Sequence, residues 1–382
     1  MSTILKYMEY MENEFANNSL NESEIRDTVE SADSVDEISY YGQDFDVDGL
    51  VRRFQKGSIK IPNFGNNDPD VESAGFQRNF VWSKAQMDRF IESLLLGYPV
   101  PGIFLVRQRD RRMLVLDGQQ RLVTLKRFYE GIHNGREFKL QNVAKQFKGE
   151  SYRSLDGSAC RQLDDTPIQA TILDASSPSS SMQAIYNIFE RLNSGGTQLA
   201  AHEIRVALYA GPLVELLESL NQSSGWRKLF GAPAKRLRDQ ELVLRILAFY
   251  LRSGNYRRPL KSFLNIFMDE FQDAQSEELH NAQELFCKAT MFLADTVGSD
   301  VIRPSGQVNQ ALTEALVVAV MRLLNKYPEV DGEVVASRIH TLKEDREFQE
   351  AISRSTADEE QVRKRLSRAQ EALMGNCDAL EA

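Results

Sequence analysis

Residues 114–121 read Leu-Val-Leu-Asp-Gly-Gln-Gln-Arg, an apolar run that ends in an acid, a glycine, two amides and a guanidinium. A strand that turns through glycine into an amphipathic stretch presents a helix N-terminus, where N–H groups and the helix dipole favour an anion. Arg121 adds a planar fork matched to phosphate oxygens. Gln119 and Gln120 carry both donors and acceptors, suited to orienting a water or reading a base edge. Asp117 is awkward beside phosphate, because like charges repel. The conflict resolves if Asp117 holds a divalent cation, Mg²⁺ by default, or if it caps the helix and faces away. In the capping case Gln120, three residues on, is its capping-box partner. The glycine run and lysine of a Walker A loop are missing, so this is a different kind of phosphate site.

Two further stretches hold polar groups of the same kind. In Phe-Glu-Arg-Leu-Asn-Ser-Gly-Gly-Thr (189–197), a helix C-terminus near Asn193 runs into Gly195 and Gly196 before Thr197. Such a segment closes one helix and caps the next, or exposes backbone N–H groups beside Arg191 as a second wall for an anion. Arg191, Asn193, Gly195 and Thr197 are therefore candidate nucleotide contacts. In Gly-Phe-Gln-Arg-Asn-Phe-Val-Trp-Ser-Lys (75–84), the aromatic residues read as core and Lys84 as solvated, while Arg78 is a candidate second cation. His133, His202, His280 and His340 lie far apart and form no zinc or His-Asn-His nuclease pattern.

The elements that must position these residues follow from periodicity. Asp46 or Asp48 caps a short helix through Phe54, and a strand Ser58–Ile61 follows Gly57. Ser83 caps a helix to Leu96 whose apolar face holds Met87, Phe90, Ile91, Leu94 and Leu95. Strands are expected at Ile103–Arg107, Met113–Leu116 and 167–174, and a helix at 181–192. From 199 onward the pattern is almost wholly helical, with segments at 199–210, 212–221, 239–253, 260–272, 278–297, 307–326, 332–342 and 357–374. The expected class is α+β: an N-terminal arm (1–45), a small mixed domain (46–198) and an all-helical domain (199–382).

Composition narrows the function classes. Residues 1–50 carry thirteen acids against two bases, a local charge of −11, so the net charge of −9 leaves the other 332 residues at about +2. The acidity belongs to the N-terminal arm, read as a solvated segment or a dock for a basic surface. The longest apolar run, Leu316 to Met321, is far short of the ~20 residues a membrane helix needs. Cys160, Cys287 and Cys377, odd in number and widely spaced, fit neither a disulfide framework nor a zinc site. No signal-peptide pattern opens the chain, and a cytoplasmic location without membrane contact is expected. Residues 235–261 are basic at both ends of an apolar helix, a candidate nucleic-acid surface.

In this order, the stretches Phe-Gln-Arg-Asn-Phe-Val-Trp, Leu-Gly-Tyr-Pro-Val-Pro-Gly-Ile-Phe-Leu, the Asp-Gly-Gln-Gln-Arg turn and Ile-Phe-Glu-Arg-Leu-Asn-Ser-Gly-Gly-Thr-Gln-Leu-Ala-Ala-His-Glu-Ile-Arg, together with 237–250 and 256–268, resemble a known family. It is the DGQQR-containing domain of unknown function 262, a relative of the ParB/sulfiredoxin fold. It is known from GmrS-type subunits of modification-dependent (type IV) restriction systems and related antiphage defence proteins. The resemblance spans about 40 to 270. It implies nucleoside-triphosphate binding and hydrolysis at Asp117, Gly118, Gln119, Gln120 and Arg121, coupled to antiphage DNA restriction; the Mg²⁺ expected at Asp117 would be the cofactor. Implied partners are DNA and a separate nuclease or effector subunit, with a homo-oligomer also open. Alternatives are a non-catalytic nucleotide- or DNA-sensing switch and a ParB-like nuclease. The sequence departs from the family in two ways: 199–382 holds no nuclease metal-ligand set, and eleven residues separate Pro62-Asn63-Phe64 from Phe76-Gln77-Arg78.

Overall fold

A computed structural model describes residues 38–61, 82–108, 110–175, 182–192, 199–304 and 306–375. The expected N-terminal helix, the 63–75 insertion, Arg78, Asn193, Gly195 and Thr197 lie outside the described residues. The fold is α+β, and the chain divides into two compact units between Ala210 and Gly211.

The first unit is built on a five-stranded sheet. Its strands are β1 (Tyr40–Asp46), β2 (Ile59–Lys60), β3 (Ile103–Arg107), β4 (Met113–Asp117) and, after a small hairpin of β5 (Ile132–His133) and β6 (Arg136–Glu137), β7 (Pro167–Asp174), in the order β1-β7-β3-β4-β2. β1 and β7 are antiparallel, as are β3 and β4; β3 runs parallel to β7 and β2 parallel to β4. Four helices accompany it: α1 (Val47–Gln55), α2 (Lys84–Leu95), α3 (Gln119–Glu130) and α4 (Gly157–Asp164). Their apolar faces share one core with alternate residues of the central strands, including Ile103, Leu105, Met113 and Val115. Leu114 and Leu116 are buried too, and α5 (Met182–Leu192) packs against β4. Helix α6 (Ala201–Leu208) completes the unit. A central strand covered on both faces reads as a continuous apolar run rather than an alternating one.

Local chemistry explains the starts of these helices. The Asp46 side chain accepts from Gly49 N, and Ser83 with Gln86 forms a capping box. Lys84 is not merely solvated. It pairs with the fully buried Asp88, donates to the Lys139 carbonyl at 2.6 Å and lies 4.3 Å from the centre of the Phe138 ring. Asp88 Oδ2 also accepts from Gln141 N at 3.1 Å, Asn142 N at 3.0 Å and Asn142 Nδ2 at 2.9 Å. One carboxylate on α2 thus fixes the loop that follows the hairpin.

The second unit is helical: α7 (Pro212–Asn221), α8 (Ser224–Phe230), α9 (Arg238–Arg252), α10 (Leu260–Glu270), α11 (Glu277–Thr296), α12 (Gln310–Lys326), α13 (Gly332–Glu344), α14 (Arg346–Ser353) and α15 (Glu359–Met374). α12, which carries the apolar run 316–321, is buried along most of its length and packs against α9, α11 and α15. No described helix is long and apolar enough to cross a membrane. On α12 the fully buried Glu314 accepts a hydrogen bond from Arg365 Nη2 at 2.7 Å and forms an ion pair with Arg245, whose Nε lies 2.5 Å away. Arg252 pairs with Glu270 and Glu278, Arg258 pairs with Asp358, and Lys261 is buried. Those four cations of the basic stretch 235–261 therefore serve the packing of this unit instead of forming an open cationic stripe.

Replacing Asp88 with Ala strands Lys84 and the N–H groups of Gln141 and Asn142. The expected cost is about 3 kcal/mol of stability, read as a lower urea midpoint for the unfolding transition.

Candidate functional site

The candidate site is the turn from β4 into α3. β4 carries one extra residue there: Leu105 faces Val115 while Phe104 faces Asp117, so the register shifts across Leu116. A bulge of this kind re-aims the chain as it leaves the sheet. Gly118 then takes a left-handed conformation, φ 101° and ψ 6°, and is itself the residue before the helix. A Cβ at this position would stand 2.4 Å from Ile103 Cγ2 and 3.3 Å from Arg121 Nη2. Glycine is required twice over, by backbone angle and by space.

Of the two roles open to Asp117, capping is not the one adopted. No side chain caps α3. Asp117 ends β4 and pairs with Arg121, its Oδ2 2.9 Å from Nη2, with 42% of the Asp117 side chain exposed against 13% for Arg121. The expected capping box is not formed: the Gln120 side-chain oxygen accepts instead from the Trp82 N–H at 3.3 Å. Trp82 packs edge-on against Phe90 of α2, with centroids 5.4 Å apart. That contact brings the end of the Phe-Gln-Arg-Asn-Phe-Val-Trp stretch to the turn.

Arg121 is a pin as well as a cation. Its Nη2 also donates to the Gly102 carbonyl at 2.8 Å, tying the entrance of β3 to the exit of β4. Among the described residues no acceptor reaches its buried Nε. An unmet buried donor costs about 1–3 kcal/mol unless a ligand or water meets it. The N–H groups of Gln119, Gln120 and Arg121 precede the first bond inside α3, which runs from Leu122 N to the Gly118 carbonyl. Cationic fork and helix start therefore share one turn, as the residue types suggest.

The other end of α3 is held firmly. Tyr129 and Tyr152 stack at 4.1 Å, and both hydroxyls donate to Asp164 Oδ1, at 2.6 and 3.1 Å. Burial and the Asp164 carboxylate push both phenols above their ordinary range, so they stay protonated donors. Burial likewise raises the Cys160 thiol beside them, an environment that disfavours a reactive thiolate.

Of the second polar stretch, Arg191 stands exposed in the last turn of α5, a helix that packs against β4. The charges of Ala-His-Glu-Ile-Arg (201–205) have no role legible from residue type or spacing. His202, Glu203 and Arg205 are all buried in α6, with Arg205 5.6 Å from the centre of the Tyr186 ring. Gly102 and Ile103 were missed as well. They act through a backbone carbonyl and a methyl group, which leave no signature in residue type. Among the described residues no group of three His, Cys, Asp or Glu is arranged to hold a metal ion. Asp117 supplies one reachable carboxylate, a donor set that fits a Mg²⁺ shared with phosphate oxygens and keeping its waters.

Gly118→Ala and Gly131→Ala separate angle from space. Both glycines have positive φ, 101° and 77°, but a Cβ at Gly131 meets nothing within 4 Å. Gly131→Ala is expected to cost about 1 kcal/mol. Gly118→Ala should cost about 2–4 kcal/mol, since overpacking adds to the strain. Paired denaturation curves test the difference, and equal losses would contradict the close approach of Ile103.

No curated protein and no solved structure matches the chain. The family described as GmrSD restriction endonuclease, N-terminal domain, matches residues 50–210. The match ends where the first compact unit ends and contains the whole β4–α3 turn. In residues 50–210 this chain is thus similar to the N-terminal domain of GmrSD restriction endonucleases.

Proposed function

We propose that the β4–α3 turn binds and hydrolyses a nucleoside triphosphate, and that the chain is a regulatory subunit of a restriction-type antiphage system. The observation that carries this reading is the pairing, in one turn, of an uncapped helix start at Gly118 with the Arg121 guanidinium. Phosphate oxygens satisfy both sets of donors at once. Phosphoryl transfer asks mainly for positioning and charge stabilisation, which these groups supply without covalent chemistry. Arg121 holds the phosphates, and Gln119 orients water or base. Gln120, through Trp82, positions the preceding segment. Arg78, Arg191, Asn193, Gly195 and Thr197 are the proposed surrounding contacts.

Mg²⁺ would be held by Asp117 together with the phosphates, and would supply neutralisation of their charge. The similarity to a restriction endonuclease domain supports a place in DNA restriction. In this reading DNA cleavage belongs to a separate nuclease or effector subunit. The helical unit would relay nucleotide state to DNA or to that subunit.

A second reading, nucleotide sensing without hydrolysis, is favoured by the engagement of the Gln120 oxygen with Trp82, which takes one water-orienting group out of the site. Phosphate release measured with each of the four ribonucleoside triphosphates and Mg²⁺, with and without DNA, separates the two. Binding without release selects the switch. For the hydrolytic reading, Arg121→Ala should lower turnover by about a hundredfold or more with the circular dichroism spectrum retained. Unchanged turnover would remove the phosphate role of Arg121.

A further inference from the structure

Arg121 is held by the group most exposed to an arriving ligand. Its Nη2 is shared between Asp117 Oδ2 at 2.9 Å and the Gly102 carbonyl at 2.8 Å. The Asp117 side chain is 42% exposed and that of Arg121 only 13%, so a ligand entering from solvent meets the carboxylate before the guanidinium. A triphosphate without a cation brings only negative charge to that carboxylate, and the charge that would attract it is already paired.

We infer that the Asp117–Arg121 pair is an exchange latch that couples nucleotide binding to Mg²⁺. The inference rests on the phosphate reading of this turn. Asp117 gives up Arg121 for the cation that accompanies the triphosphate. Arg121 gives up Asp117 for a phosphate oxygen, and its bond to the Gly102 carbonyl keeps the guanidinium at the turn. After the exchange every charge is again paired. With metal-free nucleotide the exchange is incomplete, because Asp117 is left facing phosphate with no cation. Asp117 would then discriminate between metal-bound and metal-free triphosphate, and this work differs from that of a cap or of a fixed metal ligand.

The alternatives predict different binding patterns. If Asp117 only orients Arg121, its loss weakens nucleotide binding whether or not metal is present. If it is only a metal ligand, its loss weakens binding in Mg²⁺ and strengthens metal-free binding through lost repulsion alone, by the same factor whether or not Arg121 is present. An exchange latch alone predicts that much of this gain depends on Arg121, because a competitor for its guanidinium also disappears, so the gain shrinks when Asp117→Asn is made in an Arg121→Ala background.

The test is equilibrium binding of each of the four ribonucleoside triphosphates to the full chain and to Asp117→Asn, each with and without Arg121→Ala, in Mg²⁺ and in EDTA. For the wild type, the nucleotide that binds should do so about tenfold or more tightly in Mg²⁺ than in EDTA. Asp117→Asn should bind that nucleotide in EDTA about tenfold more tightly than the wild type does in EDTA, and Mg²⁺ should change its affinity less than about threefold. Metal-free binding by Asp117→Asn that is unchanged or weaker, or a gain that is the same in the Arg121→Ala background, overturns the latch while leaving the phosphate site standing. A wild type that binds no nucleotide under either condition overturns the phosphate reading and the latch together. Asp117→Ser carries the same comparison if the asparagine variant does not fold, with thermal unfolding as the check.

Discussion

The first unit depends on one close approach: the backbone of β4 leaves the sheet directly over Ile103, through a residue that cannot carry a Cβ. Everything at the candidate site follows from that constraint. The register shift before Asp117 and the left-handed Gly118 aim the chain into α3. The missing side chain at the residue before the helix leaves α3 without a cap. Arg121, one turn into the helix, reaches back to Asp117 and to Gly102, so the turn is closed by the same side chain that suits it to an anion.

This arrangement removes the apparent contest between structure and chemistry in the Asp-Gly-Gln-Gln-Arg segment. A capping aspartate would satisfy the helix start with its own oxygen and repel an anion from it. Here the carboxylate is turned to Arg121 instead, and the helix start is left to the groups around it. The half-exposed pair is a weak structural bond by the standards of buried ion pairs, which makes it suitable for exchange. Beyond the site, the firm hold on α3 comes from its far end, where two stacked tyrosines share Asp164.

In the helical unit, charges that lie along one stretch of chain find partners that are close only in space. The basic run 235–261 looks like a surface for nucleic acid. Folded, Arg245 lies against the buried Glu314, Arg252 against Glu270 and Glu278, and Arg258 against Asp358. Arg365 reaches Glu314 from α15, so one carboxylate on the central helix holds two guanidiniums from different parts of the sequence. Partner acids that are near in space and far in sequence thus pair part of a basic segment internally, while Arg238 and Arg257 stand exposed.

Much of this was already determined by the sequence alone. Helical periodicity and cap chemistry are local, so most of the helices after residue 199, the starts at Asp46 and Ser83 and the strand 167–174 were legible without a fold. The types of residue at the turn, on which the proposed anion site rests, were legible for the same reason. Only the tertiary structure decided what lacked a local signal. β1 carries a weak, polar alternation and is a strand because β7 pairs with it. The short helices α4, α8 and α14 offered too few turns for periodicity to show. Asp117 was open between cap and metal holder because both roles use the same carboxylate. The decision came from Gly118 taking the position before the helix and from Arg121, four residues on, lying within 2.9 Å of it. The need for glycine at 118 came from Ile103, fifteen residues away in sequence and in contact only once β3 and β4 pair.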